Sequence, residues 1–273
     1  MKRMMMGGAV LAAGVMAVAL PPVLGAQASP SSASAAVHPS AAEILTRSTT
    51  AMAAVHRTHS EGTAYLWASG TNGNHIPSST RVRVTGDCTI KRTSRRVVIR
   101  TRFHAVGEHT VGGRLQQHLD WRYITVVRGG MHASSSAGQS VRVWERDART
   151  YRRWRSTPST QAAQHPAYFL GYTDLCPSDL HAIQIAPARF TYLGATRIYG
   201  VPVWHIRGMM DSGDTTSLDL FVDQASFHWL RVISTFIVRN NGAVVNRLRW
   251  ANDYSQFNGA IRISPPTIGA TTP

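Results

Sequence analysis

The chain has 273 residues, 43% hydrophobic and 16% charged, which suits one large β domain or two small ones with a substantial core. Lysine and arginine total 29 against 14 aspartates and glutamates, a net charge of +15. This charge attracts anionic lipid headgroups, cell-wall polymers or nucleic acid, but the scattering of the arginines favours a solvated surface instead. No apolar segment after Leu20 is long enough to span a bilayer. This excludes a membrane protein built from several spanning helices.

The N-terminal residues have the order of a secretory signal peptide. Lys2 and Arg3 precede an uncharged run from Met4 to Leu20, and the small-residue sequence Ala26-Gln27-Ala28 follows. We therefore predict a signal peptide over residues 1–28, cleaved after Ala28. The alternative is that the apolar run is retained as a membrane anchor.

Residues 29–39 are mostly Ser, Ala and Pro, which predicts a flexible leader. Within it, Ala33-Ser34-Ala35 is a second signal for cleavage. No cysteine lies near either signal, so we expect no lipid anchor at an N-terminal cysteine. The mature protein is expected to be exported, either extracellular or associated with the cell envelope.

Cys88 and Cys176 are the two cysteines of the chain, and both lie in the exported part. Outside the cytoplasm an isolated pair of cysteines usually forms a disulfide. We predict a bond between them, with two separate free thiols as the alternative.

The first regular element is predicted to be an amphipathic helix from Ser40 to about Arg57. Ser40 and Glu43 have the spacing of a capping box, in which the serine accepts from the first turn. Apolar residues then recur at helical spacing on one side, at Ile44, Leu45, Met52 and Val55.

After His59 the apolar residues recur at a period of two, which predicts antiparallel strands. A first group is predicted in TAYLWASG, TRVRVTGD, RRVVIRTRFHAV, DWRYITVVRGG and SVRVWERD. A second group is predicted in ARFTYLGATRIYG, VPVWHIRGM, TSLDLFVD, HWLRVISTFIVRN and AVVNRLRWANDY. Between them, the segment from about Ser156 to Pro187 predicts short helices and loops that cross from one group to the other.

This order predicts an α+β fold, with one continuous antiparallel sheet curled around a few helices. Two domains that divide at the crossing segment are the alternative. A Cys88–Cys176 disulfide would tie the first group of strands to the crossing, which favours a single domain over residues 40–273.

No catalytic, metal or cofactor site is predicted. The chain lacks the G-x-S-x-G, H-E-x-x-H and C-x-x-C motifs and has no phosphate-binding glycine loop. The stretch from Ser217 to Val232 holds Asp219, Asp223 and His228, but its alternation predicts two strands joined by a turn that Asp223 begins. We expect all three side chains to be structural, with Arg231 paired to one of the two aspartates.

Three segments in order resemble the LolA-like superfamily, and within it the branch of actinobacterial envelope lipoproteins typified by LprG and LppX. They are GVPVWHIRG from Gly200 to Gly208, VDQAS from Val222 to Ser226, and YSQFNGAIRISP from Tyr254 to Pro265. The N-terminal helix running into the first strand is also similar to that family. The resemblance covers most of the mature chain, although the crossing segment and the missing N-terminal cysteine depart from the family.

The resemblance implies a half-open β-barrel wrapped over helices, with an apolar cavity for acyl chains. We therefore expect a non-catalytic carrier or sensor that binds the acyl chains of a lipid or lipoprotein. An anionic membrane surface is a further expected partner, nucleic acid is not, and the protein is expected to be a monomer. The alternative is an envelope module that recognises a protein or an anionic polymer without a lipid cavity.

Charged positions predict which face of the late strands looks inward, since Asp219, Asp223, Arg231 and Arg239 should face solvent. The residues between them are then expected to line the cavity together with one side of the helix. The predicted lining residues are Leu218, Leu220, Val222, Leu230, Val232, Phe236, Val238, Trp204, Ile206, Met52 and Val55. A dry, filled core at the same positions is the alternative.

Overall fold

The computed structural model of the chain describes residues 38–70, 76–93, 96–130, 140–147, 154–157, 176, 189–211 and 215–266. The predicted signal peptide, the leader up to residue 37 and most of the predicted crossing segment lie outside these residues. Among the described residues, no helix combines the length and the apolar character needed to cross a membrane.

Helix α1 (Ala41–Ala53) begins where the sequence predicts. The hydroxyl of Ser40, its N-cap, accepts a hydrogen bond from the backbone N–H of Glu43 at 3.1 Å. Ile44 and Met52 are buried on the predicted side of the helix. The local sequence thus determines both the start of α1 and the face that it buries.

The predicted end of the helix near Arg57 is wrong, because Arg57 already belongs to the first strand. The side chain of Asn258, far along the chain, accepts a hydrogen bond from the backbone N–H of His56 at 2.7 Å. The backbone N–H of Asn258 donates to the carbonyl of Arg57 at 2.8 Å. A long-range contact of this kind is not visible in the local pattern.

Eleven strands form one antiparallel sheet in the described part of the chain. Their order across the sheet is β6-β5-β4-β3-β2-β1-β11-β10-β9-β8-β7, so the sheet is open, with β6 and β7 at its edges. The strands are β1 (Arg57–Ala68), β2 (Ser78–Arg92), β3 (Arg96–Val111), β4 (Arg114–Gly130), β5 (Ser140–Asp147), β6 (Arg155–Thr157), β7 (Phe190–Ile198), β8 (Val201–Asp211), β9 (Thr215–Asp223), β10 (Trp229–Asn240) and β11 (Ala243–Ser255).

The two predicted groups of strands are joined into one sheet by the pairing of β1 with β11. Ser60 lies opposite Tyr254, and the pairing continues to Ala68 opposite Asn246. The single continuous antiparallel sheet predicted from the sequence is therefore confirmed.

One face of the sheet carries a continuous row of residues from β8 to β3. The row runs through Ile206, Leu220, Val232, Asn252, Gly62, Val84 and Ala105, each opposite the next in register. Gly62 is required in this row because a Cβ there would overlap the buried side chain of Asn252. We call this side of the sheet the inner face and the opposite side the outer face.

Two apolar clusters occupy the inner face. Helix α1 packs on the first, which includes Phe190, Ile206, Leu220, Trp229 and Tyr254. The second lies on β1 to β5 and includes Val84, Ile99, Phe103, Tyr123 and Cys176. Together they account for most of the buried apolar side chains of the sheet.

The predicted disulfide is present, with Cys88 and Cys176 bonded and their Cα atoms 5.5 Å apart. Both residues are buried within the second cluster of the inner face. The bond therefore fastens the middle of the predicted crossing segment to β2.

A third apolar cluster lies on the outer face. Ile261 and Ile263, which follow β11, pack against Ile124, Val126 and Trp144 of β4 and β5. The C-terminal segment consequently crosses the outer face and covers strands that belong to the other half of the sheet.

The fold class predicted as α+β is correct only in part. The described residues are mostly strand, with α1 as the one helix among them. The further helices predicted in the crossing segment lie outside the described residues.

Candidate functional site

Most of the predicted lining residues meet under α1 on the inner face. Met52, in the last turn of α1, and Val55, two residues after the helix ends, share one apolar cluster with residues of β8, β9 and β10. Those sheet residues, all buried, are Ile206, Leu218, Leu220, Val222 and Val232. The structure brings them together as the alternation predicts, and the helix covers them.

Trp204 lies at the rim of the same cluster and is half-buried. Its ring centroid is 4.9 Å from that of Phe227, in the turn between β9 and β10. The guanidinium of Arg47 stands 3.8 Å from the centroid of the Phe227 ring, in a cation–π contact. These contacts close the rim at the N-terminal end of β10.

The predicted inward position of Leu230 is corrected by a β-bulge. Trp229 lies opposite Val222 and Arg231 lies opposite Phe221, so Leu230 is the extra residue between them. Trp229 is therefore the inward side chain, 5% exposed, and Leu230 is only half-buried. The backbone N–H of Trp229 lies 3.3 Å from the sulfur of Met52, which shows how closely α1 approaches this strand.

Beyond α1 the inner face presents apolar side chains that remain exposed. Leu66 of β1 lies opposite Leu248 of β11, and Leu248 lies opposite Phe236 of β10. Leu66 is 44% exposed, Phe236 is 38% exposed, and Leu248 between them is half-buried. We call Leu66, Leu248 and Phe236 the open row.

The open row contains one predicted lining residue, Phe236, and Val238 lies two residues further along β10. Leu66 and Leu248 are not among the residues predicted to line the cavity. The alternation in TAYLWASG would have placed Leu66 on the face of Ala64, but which residues lie opposite it depends on the pairing of β1 with β11.

Behind the α1 core, the outer face carries a buried carboxylate. Asp219 is 7% exposed, and its Oδ1 lies 2.7 Å from Nε2 of His205. The Nε of Arg207 donates to the same oxygen at 2.7 Å, and this hydrogen bond raises the pKa of Arg207. His205 also stacks on Phe221, with ring centroids 4.2 Å apart.

These side chains border a shallow cleft of about 390 Å³ between β8, β9, β10 and β11. Among the described residues that line the cleft, the one carboxylate, that of Asp219, is paired with Arg207 and His205. The arrangement stabilises the strand pairing of β8 and β9.

Asp223 begins the turn between β9 and β10, as predicted. Its carboxylate accepts hydrogen bonds from the backbone N–H of Ala225 at 3.0 Å and from the hydroxyl of Ser226. His228 stacks on Phe257, with ring centroids 4.4 Å apart. Burial lowers the pKa of His228, and the nearby charge of Asp223 only partly opposes this shift.

The predicted pairing of Arg231 with Asp219 or Asp223 is wrong. Arg231 lies directly opposite Asp253 of β11 and binds its carboxylate with two donors, Nε and Nη2. Arg231 nevertheless lies on the outer face, as predicted. It is opposite Phe221, which is itself an outer-face residue of β9.

Histidines elsewhere in the sheet also pair with acidic side chains of neighbouring strands. His104 lies 2.7 Å from Asp120, and His59 lies 2.8 Å from Asp87. Burial raises the pKa of Asp87, but the hydrogen bonds from His59 and Arg102 outweigh it and leave that pKa below its ordinary value. In the part of the chain that the structure describes, no three potential ligands gather as a metal would require.

Comparison with known proteins finds no matching family model and no similar curated protein. A DUF1329 family protein from Desulfovibrio piger is 11% identical, covers 82% of this chain and 93% of its own, and has a TM-score of 0.26. A LolA superfamily protein from Nitrosomonas europaea is 9% identical, covers 84% of this chain and 96% of its own, and has a TM-score of 0.25. A chain of the Pseudomonas aeruginosa MucA/MucB complex is 12% identical, covers 78% of this chain and 56% of its own, and has a TM-score of 0.28.

These TM-scores are below the level that establishes a shared fold. The resemblance to the LolA-like superfamily and to its LprG and LppX branch therefore stays a prediction from the sequence. The strands, their register and the contacts described above stand independently of it.

Proposed function

We propose that this chain is an exported, non-catalytic binding module that holds the acyl chains of a lipid or lipoprotein against the inner face of its sheet. The observation that carries the proposal is the open row, three large apolar side chains in register on β1, β11 and β10. Soluble proteins rarely leave adjoining apolar side chains exposed unless the surface has a partner.

The acyl chain would lie along the open row, outside the cluster that α1 covers. Under the helix, Leu220 and Val222 are at most 1% exposed, so that part of the predicted lining already has its partner. Leu66 and Phe236 retain large exposed fractions and can still lose apolar area to a ligand. The proposal therefore keeps Phe236 and Val238 from the predicted lining and adds Leu66 and Leu248.

Apolar burial alone supplies enough free energy for this kind of binding. Each buried CH₂ contributes about 0.8 kcal/mol, so ten methylenes contribute about 8 kcal/mol before the entropy of association is subtracted. Such binding needs no specific polar contact.

Export is supported by the N-terminal sequence and by the disulfide. Disulfides persist mainly in oxidising compartments, and Cys88 and Cys176 are bonded. Without Lys2 and Arg3 of the predicted signal peptide, the exported part has 27 basic and 14 acidic residues, a net charge of +13, which would add attraction to an anionic membrane.

The test is native mass spectrometry of the purified exported protein after incubation with a lipid extract. We expect adducts with the masses of acyl-bearing lipids. A Phe236→Lys variant should lose them, because a lysine would place a charge within the open row. Far-ultraviolet circular dichroism and thermal melting establish that the variant is folded.

Val106→Lys is the matched control, since Val106 is 46% exposed and lies on the outer face opposite Arg83. This variant has the same change in charge and should keep the adducts. Absence of lipid adducts from the parent protein would contradict the proposal. So would a folded Phe236→Lys variant that binds as well as the control.

A further inference from the structure

A basic cleft lies on the outer face, away from the open row. It opens between the start of β1, the end of β2, the start of β3 and the C-terminal segment, and its volume is about 570 Å³. Ligand pockets in proteins commonly measure about 300–1,000 Å³.

The described residues that line this cleft include six basic side chains and no acidic one. The six are His56, Arg57, Lys91, Arg92, Arg100 and Arg262. Asp87, the acidic residue on β2 two positions before the lining residue Thr89, is already bonded to His59 and Arg102. The positive charge of the cleft therefore has no carboxylate of its own among the described lining residues.

Arg100 provides an independent observation, because its Nε is buried and has no hydrogen-bond partner among the described residues. A buried guanidinium N–H without an acceptor is costly, and such groups are uncommon in folded proteins. The enclosed Nε is closed off from the cleft, but the guanidinium that carries it is poorly hydrated, and an anion in the cleft, which Arg100 lines, would offset its positive charge.

Contacts within the protein position three of the basic side chains that line the cleft. Ile261 and Ile263 are anchored in the third apolar cluster, which fixes Arg262 between them as an exposed side chain. Arg57 donates to the carbonyl of Gly259 at 3.3 Å, and Arg92 donates to the carbonyl of Ala53 at 3.3 Å. Each of these guanidinium groups keeps further N–H donors for a ligand.

From the basic lining of the cleft and its dimensions, we propose that it binds the phosphate group of an anionic ligand. Arginine matches the geometry of phosphate oxygens with paired donors, and lysine adds a compact positive charge. The site is separate from the open row, and its occupancy does not depend on whether the inner face binds lipid.

The phosphate could belong to a membrane phospholipid or to a soluble molecule, so the experiment has two arms. Purified exported protein is titrated with inorganic phosphate by calorimetry and is sedimented with phosphatidylglycerol vesicles, with phosphatidylcholine vesicles for comparison. Both arms are run at about 0.15 M salt, where charges more than about 8 Å apart are largely screened.

The cleft variant combines Lys91→Gln with Arg262→Gln, both at exposed side chains whose replacement leaves the core intact. The control combines Arg83→Gln with Arg114→Gln, also exposed, outside the cleft and equal in lost charge. We expect the cleft variant to bind about 10- to 100-fold more weakly than the parent and the control to bind within about twofold of it.

Saturable binding of inorganic phosphate that the cleft variant loses would assign the site to a soluble phosphate. Binding of phosphatidylglycerol vesicles alone, lost in the same variant, would assign it to a lipid headgroup. Either result supports the proposal. Absence of saturable binding in both arms, or equal binding by the cleft variant and the control, would overturn it.

Discussion

Arg231 and Asp253 lie directly opposite each other on β10 and β11 and form a two-donor ion pair. The hydroxyl of Tyr199 also donates to Asp253, at 2.7 Å, and this bond raises the pKa of Tyr199. The Arg231 and Asp253 side chains are 30% and 26% exposed, so water screens the pair only in part.

The Asp253→Asn substitution should therefore destabilise the fold by about 1–3 kcal/mol, because Arg231 would keep its burial and lose its charged acceptor. Urea denaturation measures the change. The double variant Arg231→Gln/Asp253→Asn should cost less than the sum of the two single changes. Additive costs would show that the two side chains do not interact in solution.

Reducing the Cys88–Cys176 disulfide should lower the free energy of unfolding. The two cysteines are 88 residues apart, and the chain-entropy model gives about 4–5 kcal/mol for a loop of this length, as an upper value. Thermal melting with and without reductant measures the loss, and a Cys88→Ser/Cys176→Ser variant should match the reduced parent protein. Thiol labelling of the unfolded, unreduced protein should find no free thiol.

The His228→Gln substitution should flatten the dependence of stability on pH in mildly acidic solution. Burial lowers the pKa of His228 below 6.5 in the folded state, so the unfolded chain takes up the proton first as pH falls. Stability is then lost from about pH 6.5 downward, through the folded pKa. Urea midpoints at several pH values, compared between parent and variant, isolate this contribution, and parallel profiles would contradict it.

The Asp219→Ala substitution should destabilise the protein by about 1–3 kcal/mol, because it leaves His205 and Arg207 without their shared acceptor. Asp120→Ala is the matched control, since Asp120 pairs with His104 and both side chains are 36% exposed. We expect the control to cost less than about 1 kcal/mol. Chemical denaturation measures both losses of stability. Equal losses in the two variants would show that the burial of Asp219 does not strengthen its interactions.

Lysine should have opposite effects at two positions of the inner face. Leu220 is 1% exposed under α1, so Leu220→Lys buries a charge without a partner and should prevent stable folding. Phe236, at 38% exposure, should accept lysine with little loss of melting temperature. Circular dichroism melts of the two variants test this contrast, and a cooperative native-like melt of Leu220→Lys would contradict the packing of α1.

Features set by short stretches of sequence were predictable. The N-cap of α1 needs only Ser40 and its own first turn, and the strands follow from their alternation. The disulfide was predictable because Cys88 and Cys176 are the two cysteines of the chain, so one pairing is possible within it.

Features set by distant partners were not predictable in this way. The bulge at Leu230 depends on Trp229 meeting Met52 of α1, and the partner of Arg231 depends on the register of β10 with β11. The open row has the same origin, since Leu66 and Leu248 become neighbours only when β1 pairs with β11. The basic cleft likewise combines side chains of β1, β2 and β3 with side chains of the C-terminal segment, which are more than 150 residues away along the chain.

The pairing of β1 with β11 has a consequence for how the chain acquires its structure. Synthesis begins at the N-terminus, so β1 can pair with β2 early, while its other edge waits for the last strand. Contacts of such sequence separation form slowly, and an open strand edge can recruit another chain. Premature termination before Ala243 would split the sheet into a six-stranded and a four-stranded piece, whereas loss of the edge strand β7 would leave the remaining strands contiguous.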